Sequence, residues 1–417
     1  VLKNYWPKLF KNLMIIKLKN LGPGLLFAGA AIGVSHLVQS TRAGADFGMG
    51  LIWALLLVNL FKYPFFQFGP RYASATGESL LDGYKRLGKN ALVVYYLLSF
   101  TTMFTIQTAV TIVTAGLALT LFGDFFSLEV WTVIILLICL SLLVFGKYKL
   151  LDRLMKIIII TLTISTITAV VIASFNHSAP ISFNQILPDN SLEIAFLIAF
   201  MGWMPAPLDI SVWHSLWAIE KKKEAKQFSP KSALFDFNVG YVSTIILGLG
   251  FLLLGALVMF NSGETFSDSA GQFAKQLINM YTITLDDWTY IIIGIAAFTT
   301  MFSTTLTTLD ASPRAMAKTT QLLFKNDKNF GYPFWITLLT VGTILIFVFL
   351  LSEMGLLIKI ATILSFITAP FYAIMNYILI SSKHTPKSWR PSKKMHILSW
   401  MGILFLIGFS IWYLSTL

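Results

Sequence analysis

Long apolar runs alternate with short polar connections from residue 20 almost to the last residue. Eleven runs stand out as candidate membrane spans: 20–46, 49–70, 91–121, 127–145, 153–174, 192–217, 236–260, 288–312, 333–351, 355–380 and 396–415. At 1.5 Å per helical residue most of them reach across a hydrocarbon core of about 30 Å, and the longer ones leave room for tilt or a break. The runs are continuous, unlike the short alternating segments of a membrane β-barrel. The pattern predicts an all-α polytopic membrane protein.

Composition narrows this further. Of the 417 residues 56% are hydrophobic and 12% charged, the opposite of what a disordered chain needs. A lone cysteine, Cys139, excludes a disulfide scaffold. The net charge of +12 invites a nucleic-acid partner, but its distribution gives a better account. Basic residues gather in the N-terminal arm, Lys3 to Lys19, and in alternate connections around Arg71, Lys149, Lys222, Lys318 and Lys387. Those six segments hold 27 of the 31 lysines and arginines, whereas the opposite connections hold one, Lys275. The positive-inside bias then places the N-terminus in the cytoplasm and, with eleven spans, the C-terminus outside. The expected location is a cell membrane (the bacterial inner membrane), as a monomer, with no nucleic acid bound.

Spans 1 and 6 are interrupted. Span 1 opens on Leu21-Gly22-Pro23-Gly24, passes Gly33-Val34-Ser35-His36 and ends near Arg42 and Asp46. Span 6 contains Met201-Gly202-Trp203-Met204-Pro205-Ala206-Pro207-Leu208-Asp209. Two prolines so close together remove two backbone donors in mid-membrane and break the helix. Carbonyls freed at that depth are tolerated where they line a cavity or bind something. If spans 1–5 and 6–10 are two repeats, the broken spans hold equivalent places and point to a solute site at the midplane. The competing reading is a kink that eases packing, and it is stronger for span 1, whose Pro23 lies near one end.

An ordered set of residues resembles the Nramp family of proton-coupled divalent-metal transporters. The matches are Leu21-Gly22-Pro23-Gly24, Ala43-Gly44-Ala45, Phe47-Gly48, Leu51-Ile52-Trp53, Ala75-Thr76-Gly77, Thr114-Ala115-Gly116-Leu117-Ala118-Leu119, Gly146 to Asp152, and Met204-Pro205. The resemblance implies a LeuT-type inverted repeat of five plus five helices with an eleventh helix added. It divides the chain into a cytoplasmic arm over 1–19, repeats over 20–174 and 191–381, and a last helix over 394–417. The family's metal-binding Asp-Pro-Gly-Asn aligns with Gly33, Val34, Ser35 and His36, so both oxygen ligands are replaced. Of its Met-Pro-His, Met204 and Pro205 remain and Ala206 stands for the His. A family carbonyl ligand aligns with Met201, and the acidic pair implicated in the proton route aligns with Thr108 and Thr111.

The residues left to form a site are therefore few. Gly33, Ser35, His36, Met201, Met204, Ala206 and Asp209 are the substrate-binding candidates, with Met204, Asp209 and His36 as metal ligands. Hard divalent ions prefer carboxylates, and Asp209 lies about a turn past Pro205. His36 and Met204 together suit a softer ion. A histidine at a break also suits a proton carrier, or a hydrogen bond to broken backbone. His214 lies further along span 6.

Intramembrane charges are costly and usually functional. Lys62, mid-span 2, can neutralise Asp209 or Asp310 or face an anion. Arg42 and Asp46, four apart, are expected to pair, as are Asp310 and Arg314. Lys359 can snorkel outward. Thr108, Thr111, Lys62, Asp310, Arg42 and Asp46 are the coupling or gating candidates. The expected function is secondary active transport of divalent metal cations, coupled to protons or sodium, with no bound cofactor. The alternative is an anion or other non-metal solute on the same scaffold, argued from the missing acids and from Lys62. A transport-inactive sensor lacks soluble loops long enough to form a partner domain. An enzyme lacks a nucleophile–base pair or phosphate loop.

Overall fold

The computed structural model describes residues 22–145, 148–176, 182–224, 230–260, 262–263, 265–285, 287–324, 330–349 and 354–416. The expected arm over 1–19 lies outside them. Among the described residues the regular structure is entirely helical. Spans 2 (Ile52–Thr76), 3 (Lys89–Phe122), 7 (Pro230–Val258), 8 (Tyr290–Phe324), 9 (Tyr332–Phe349), 10 (Met354–Ser381) and 11 (Lys393–Leu414) are long apolar helices able to cross a membrane. Span 1 is a pair, Pro23–Ala31 and Ser35–Phe47, bent by 49°. Spans 4 (Leu128–Phe145) and 5 (Tyr148–Asn176) fall where the apolar runs put them. Span 6 splits into Ser191–Trp203 and Ile210–Glu224.

Both breaks follow from local chemistry. Pro205 and Pro207 stand four residues after Met201 and Trp203, where helical N–H donors to those carbonyls would be. Span 1 breaks at Ile32–Gly33, well away from Pro23, which serves as a helix-starting residue. Beyond the break Ser35–Ser40 is wound as a π-helix. Ser40 Oγ and Thr41 Oγ1 donate back to Ser35 O at 3.1 Å and His36 O at 3.5 Å.

Two helices went unannounced by the apolar runs. Leu80–Leu87 is a short amphipathic helix between spans 2 and 3, begun by a reciprocal cap between Ser79 and Asp82. Ala270–Leu285 lies between spans 7 and 8 on the opposite face. On span 5 the exposed Ile160, Ile164, Ile167 and Val171 recur every three or four residues, a stripe suited to lipid.

Spans 1 and 6 lie in the interior, each gripped by a neighbour. Span 7 holds span 1: a Cβ on Gly24 would meet Asp236 O at 2.1 Å, and one on Gly44 would meet Leu252 O at 2.0 Å. Such close backbone approach is the usual use of small residues between membrane helices. The Asp236 carboxylate also accepts from Gly22 N at 3.0 Å and Gly24 N at 2.7 Å, satisfying the free donors at the start of span 1. Span 10 holds the first half of span 6. A Cβ on Gly202 would meet Thr362 O at 2.2 Å, and Trp203 Nε1 donates to Ser365 Oγ at 2.7 Å.

Candidate functional site

The break in span 6 is closed by a side chain from span 2. Lys62 is fully buried. Its Nζ donates to Gly202 O at 2.7 Å, Met201 O at 2.8 Å and Ala206 O at 3.3 Å. Three N–H groups meet three carbonyls, which uses the ammonium's whole donor set. Two of those carbonyls end the first half of span 6 and the third lies in the link to the second half. Asp209 stands just before that second half, and its carbonyl accepts from Val212 N at 2.8 Å. Its carboxylate is buried, interacts electrostatically with Lys62, and has one oxygen, Oδ1, with no hydrogen-bond partner.

His36 is committed elsewhere. Nε2 lies 3.0 Å from Thr244 O and Nδ1 lies 2.7 Å from Ser35 Oγ. A carbonyl only accepts, so Nε2 carries the proton and has no lone pair for a cation. Ser35 Oγ also lies 2.8 Å from Ala31 O and 3.3 Å from Pro205 O, so its one proton has three acceptors in reach at the meeting of the two breaks. The Met204 thioether packs toward span 7, its Sδ 3.3 Å from where a Cβ on Gly248 would stand. Among the described residues no three of His, Cys, Asp and Glu gather closely enough to hold a metal ion.

Cavities lie on both sides of this centre. One of about 700 Å³ opens on the face of the basic connections, with Glu78, Asp82, Glu220, Asp310, Arg314 and Lys318 in its wall. Asp310 is paired there as expected, with Arg314 Nε at 2.7 Å, and Tyr332 also donates to it at 2.7 Å. A second of about 530 Å³ lies at the opposite end, with Gln39, Arg42, Asp268 and Lys359 among its walls. Between them is a space of about 20 Å³, beside Ser35, Trp203, Trp213, Thr304 and Thr308, sharing no lining residue with either. It is the size of one water. Trp213 packs edge-on against Trp217 of the large cavity at 6.5 Å between ring centres.

Residues 24–416 match the family described as Natural resistance-associated macrophage protein-like, or Nramp. The chain belongs to the Nramp family. A protein of Pasteurella multocida, described as uncharacterised, is 37% identical over 406 residues, 96% of this chain and 92% of that protein. Among solved structures, a mutant of the Eremococcus coleocola manganese transporter is similar with a TM-score of 0.73 at 13% identity, over 93% of this chain and 84% of that one. The same transporter with an aromatic bis-isothiourea compound gives 0.70 at 14%, over 97% and 87%. MhsT in complex with L-phenylalanine gives 0.62 at 14%, over 93% and 98%. The architecture is thus the LeuT-type inverted repeat of five plus five helices, with span 11 added. Nramp proteins are multi-pass membrane transporters, and no enzyme activity is implied.

Within this Nramp chain the sequence-nominated residues divide. Lys62, Met201, Ala206 and Asp209 come together at the span 6 break. Ser35 and His36 form a second cluster against Thr244, and Met204 turns toward Gly248 in the same helix. Gly33 faces Thr304: a Cβ there would lie 2.9 Å from both Oγ1 and Cγ2. Thr111 joins a network around Gln107, while Thr108 donates only to Phe104 O of its own helix, at 2.7 Å. The expected Arg42–Asp46 pair is corrected. Arg42 reaches across the cavity to Asp268 at 3.0 Å and Ser267 O at 2.6 Å, and Asp46 is exposed. Both residues lie in the α-helical stretch Thr41–Phe47, so their spacing permits the pair, and Arg42 goes instead to the carboxylate and carbonyl of Asp268 and Ser267 that the fold brings to it.

Sequence reasoning missed Asp236, Gln107 and Asn376. Asn376 accepts from Tyr84 and donates to Phe65 O at 3.1 Å and Ser211 Oγ at 2.9 Å, joining spans 2, 6 and 10. Each is an amide or acid in an apolar run, which is the signal that could have found it.

Proposed function

We propose that this chain is a secondary transporter of divalent metal cations across a bacterial inner membrane, with the basic face cytoplasmic and the N-terminus on that side. The observation that carries it is the set of carbonyl oxygens at the span 6 break, Met201, Gly202 and Ala206, turned to one point on which the buried Asp209 carboxylate acts electrostatically. Oxygens of this kind suit a cation such as Mn²⁺. Related structures carry the name of a manganese transporter, which supports the same class of substrate. Of the four carboxylates in the large cavity, Glu78, Asp82 and Asp310 are paired with Arg86, Lys318 and Arg314, and with the fourth, Glu220, they line the approach on the basic face.

The anion alternative drew on a free Lys62. Its donors are spent on carbonyls, and an anion brought there would meet those oxygens first. In the proposed cycle the broken halves of spans 1 and 6 rock against spans 7 and 10, opening one cavity and then the other to the midplane. A proton or sodium gradient is the expected drive. The test is uptake of Mn²⁺ into proteoliposomes, with titration calorimetry of Mn²⁺, Zn²⁺, Mg²⁺ and Ca²⁺. Saturable binding that Asp209→Ala removes supports the reading. Folded protein that binds none of the four overturns it.

A further inference from the structure

We infer that Lys62 is a tethered stand-in for the transported cation: its ammonium fills the span 6 site of the empty carrier, and the substrate must displace it. The inference rests on the cation reading above and names how that site is held when nothing is bound.

Three observations carry it. The ammonium is fully buried and its three hydrogen bonds go to carbonyls on both sides of one break, so it occupies a cation position. Those carbonyls stand where the helix of span 6 stops, Pro205 having no N–H to offer Met201 O, and at that depth water does not replace the donor. Without an occupant the cluster would be a set of unsatisfied acceptors. The third observation is the vacant oxygen of Asp209. Oδ1 is buried and unpartnered, and Asp209 is the acid whose charge acts on the Lys62 ammonium.

A divalent ion and an ammonium cannot share the cluster, because two like charges at contact distance repel strongly in a medium of low polarity. Binding is therefore an exchange of one cation for another. Lys62 comes from the first repeat and the carbonyls from the second, so the exchange also releases a link between repeats. The family's own ligands at Gly33 and His36 are absent here, and a built-in occupant accounts for a site that remains folded with so few acids.

The test compares Mn²⁺ binding by calorimetry in the purified full chain, Lys62→Met and Lys62→Arg, each checked for a single melting transition. Lys62→Met removes the competitor and keeps the apolar stem, and is expected to bind Mn²⁺ at least tenfold tighter than the native chain. Lys62→Arg keeps a cation in place and is expected to bind no tighter than the native chain. Equal affinity in the native chain and Lys62→Met overturns the inference and leaves the cation reading standing. No Mn²⁺ binding by either overturns the cation reading and this inference with it. Should Lys62→Met not fold, Lys62→Ala purified in propylammonium gives a second measurement. Propylammonium is expected to raise its melting temperature and to compete with Mn²⁺, and neither effect appearing counts against the inference.

Discussion

Thr304 of span 8 occupies the space that a side chain on Gly33 of span 1 would need. Its Oγ1 lies 3.2 Å from both Gly29 O and Ile32 O and 3.1 Å from Thr300 O of its own helix, so its one proton can serve a carbonyl freed by the span 1 break. An acid cannot simply be put back at position 33. Gly33→Asp alone is expected to lower stability by about 1–3 kcal/mol through overpacking and to leave Mn²⁺ affinity unimproved. Gly33→Asp with Thr304→Ala makes room, and is expected to recover part of that loss and tighten Mn²⁺ binding. Thermal melting and calorimetry on both variants check this. Tighter binding by the single variant would show that Thr304 yields freely.

The Arg42–Asp268 pair spans the cavity opposite the basic face. Asp268 is largely exposed, and an exposed pair contributes about 0–1 kcal/mol. Its effect should appear in access rather than stability. Asp268→Asn is expected to shift melting little while raising the rate at which a thiol reagent labels Gln39→Cys, a buried position in that cavity wall. The native Cys139 is buried and gives little background. Unchanged labelling would make the pair an ornament of the surface.

The helices were legible because lipid enforces long apolar runs, and the span 6 break because Pro205 and Pro207 delete backbone donors in mid-span. The partners of buried charges were not legible. Lys62 was visible as an oddity in span 2, but its acceptors are backbone carbonyls, which leave no mark in side-chain sequence. Asp268 lies 226 residues from Arg42, and only the folded chain brings it near. His36 looked like a ligand by type, and its two ring nitrogens turned out to be bound to Thr244 O and Ser35.

On the basic face, Asp82 joins the helix Leu80–Leu87 to span 8. Lys318 Nζ lies 2.9 Å from Asp82 Oδ1, and Ser79 N and Oγ donate to Oδ2 at 3.0 and 2.6 Å. Burial raises its pKa, but the Ser79 bonds and Lys318 outweigh that and hold it below the usual carboxylate value. A lowered native pKa means stability that is whole above the unfolded value, about 3.9, and lost as pH falls through the native one. Asp82→Asn is expected to cost about 1 kcal/mol at pH 6, the usual worth of a helix cap, and less at pH 3. Melting curves of both proteins at the two values decide it. A difference that does not shrink at pH 3 would point to shape rather than charge.

Gln107 tests whether the polar seam between spans 3 and 8 is glue or path. Its Nε2 donates to Thr111 Oγ1 at 3.2 Å and Thr305 O at 3.3 Å, and its Oε1 accepts from Thr308 at 2.8 Å. Thr111 donates to Gln107 O of its own helix and Thr308 has Thr304 O in reach at 3.0 Å as an alternative acceptor, so neither hydroxyl is stranded when the amide goes. Gln107→Leu keeps most of the volume, and is expected to cost about 1 kcal/mol, with Gln107→Ala costing more through the cavity it leaves. Gln107 and Thr111 lie one turn apart on span 3 and face Thr305 and Thr308 of span 8. If the seam conducts, Gln107→Leu is expected to slow proton-driven Mn²⁺ uptake at least tenfold at unchanged Mn²⁺ affinity. Uptake at the native rate in folded protein would leave the seam as interhelical glue.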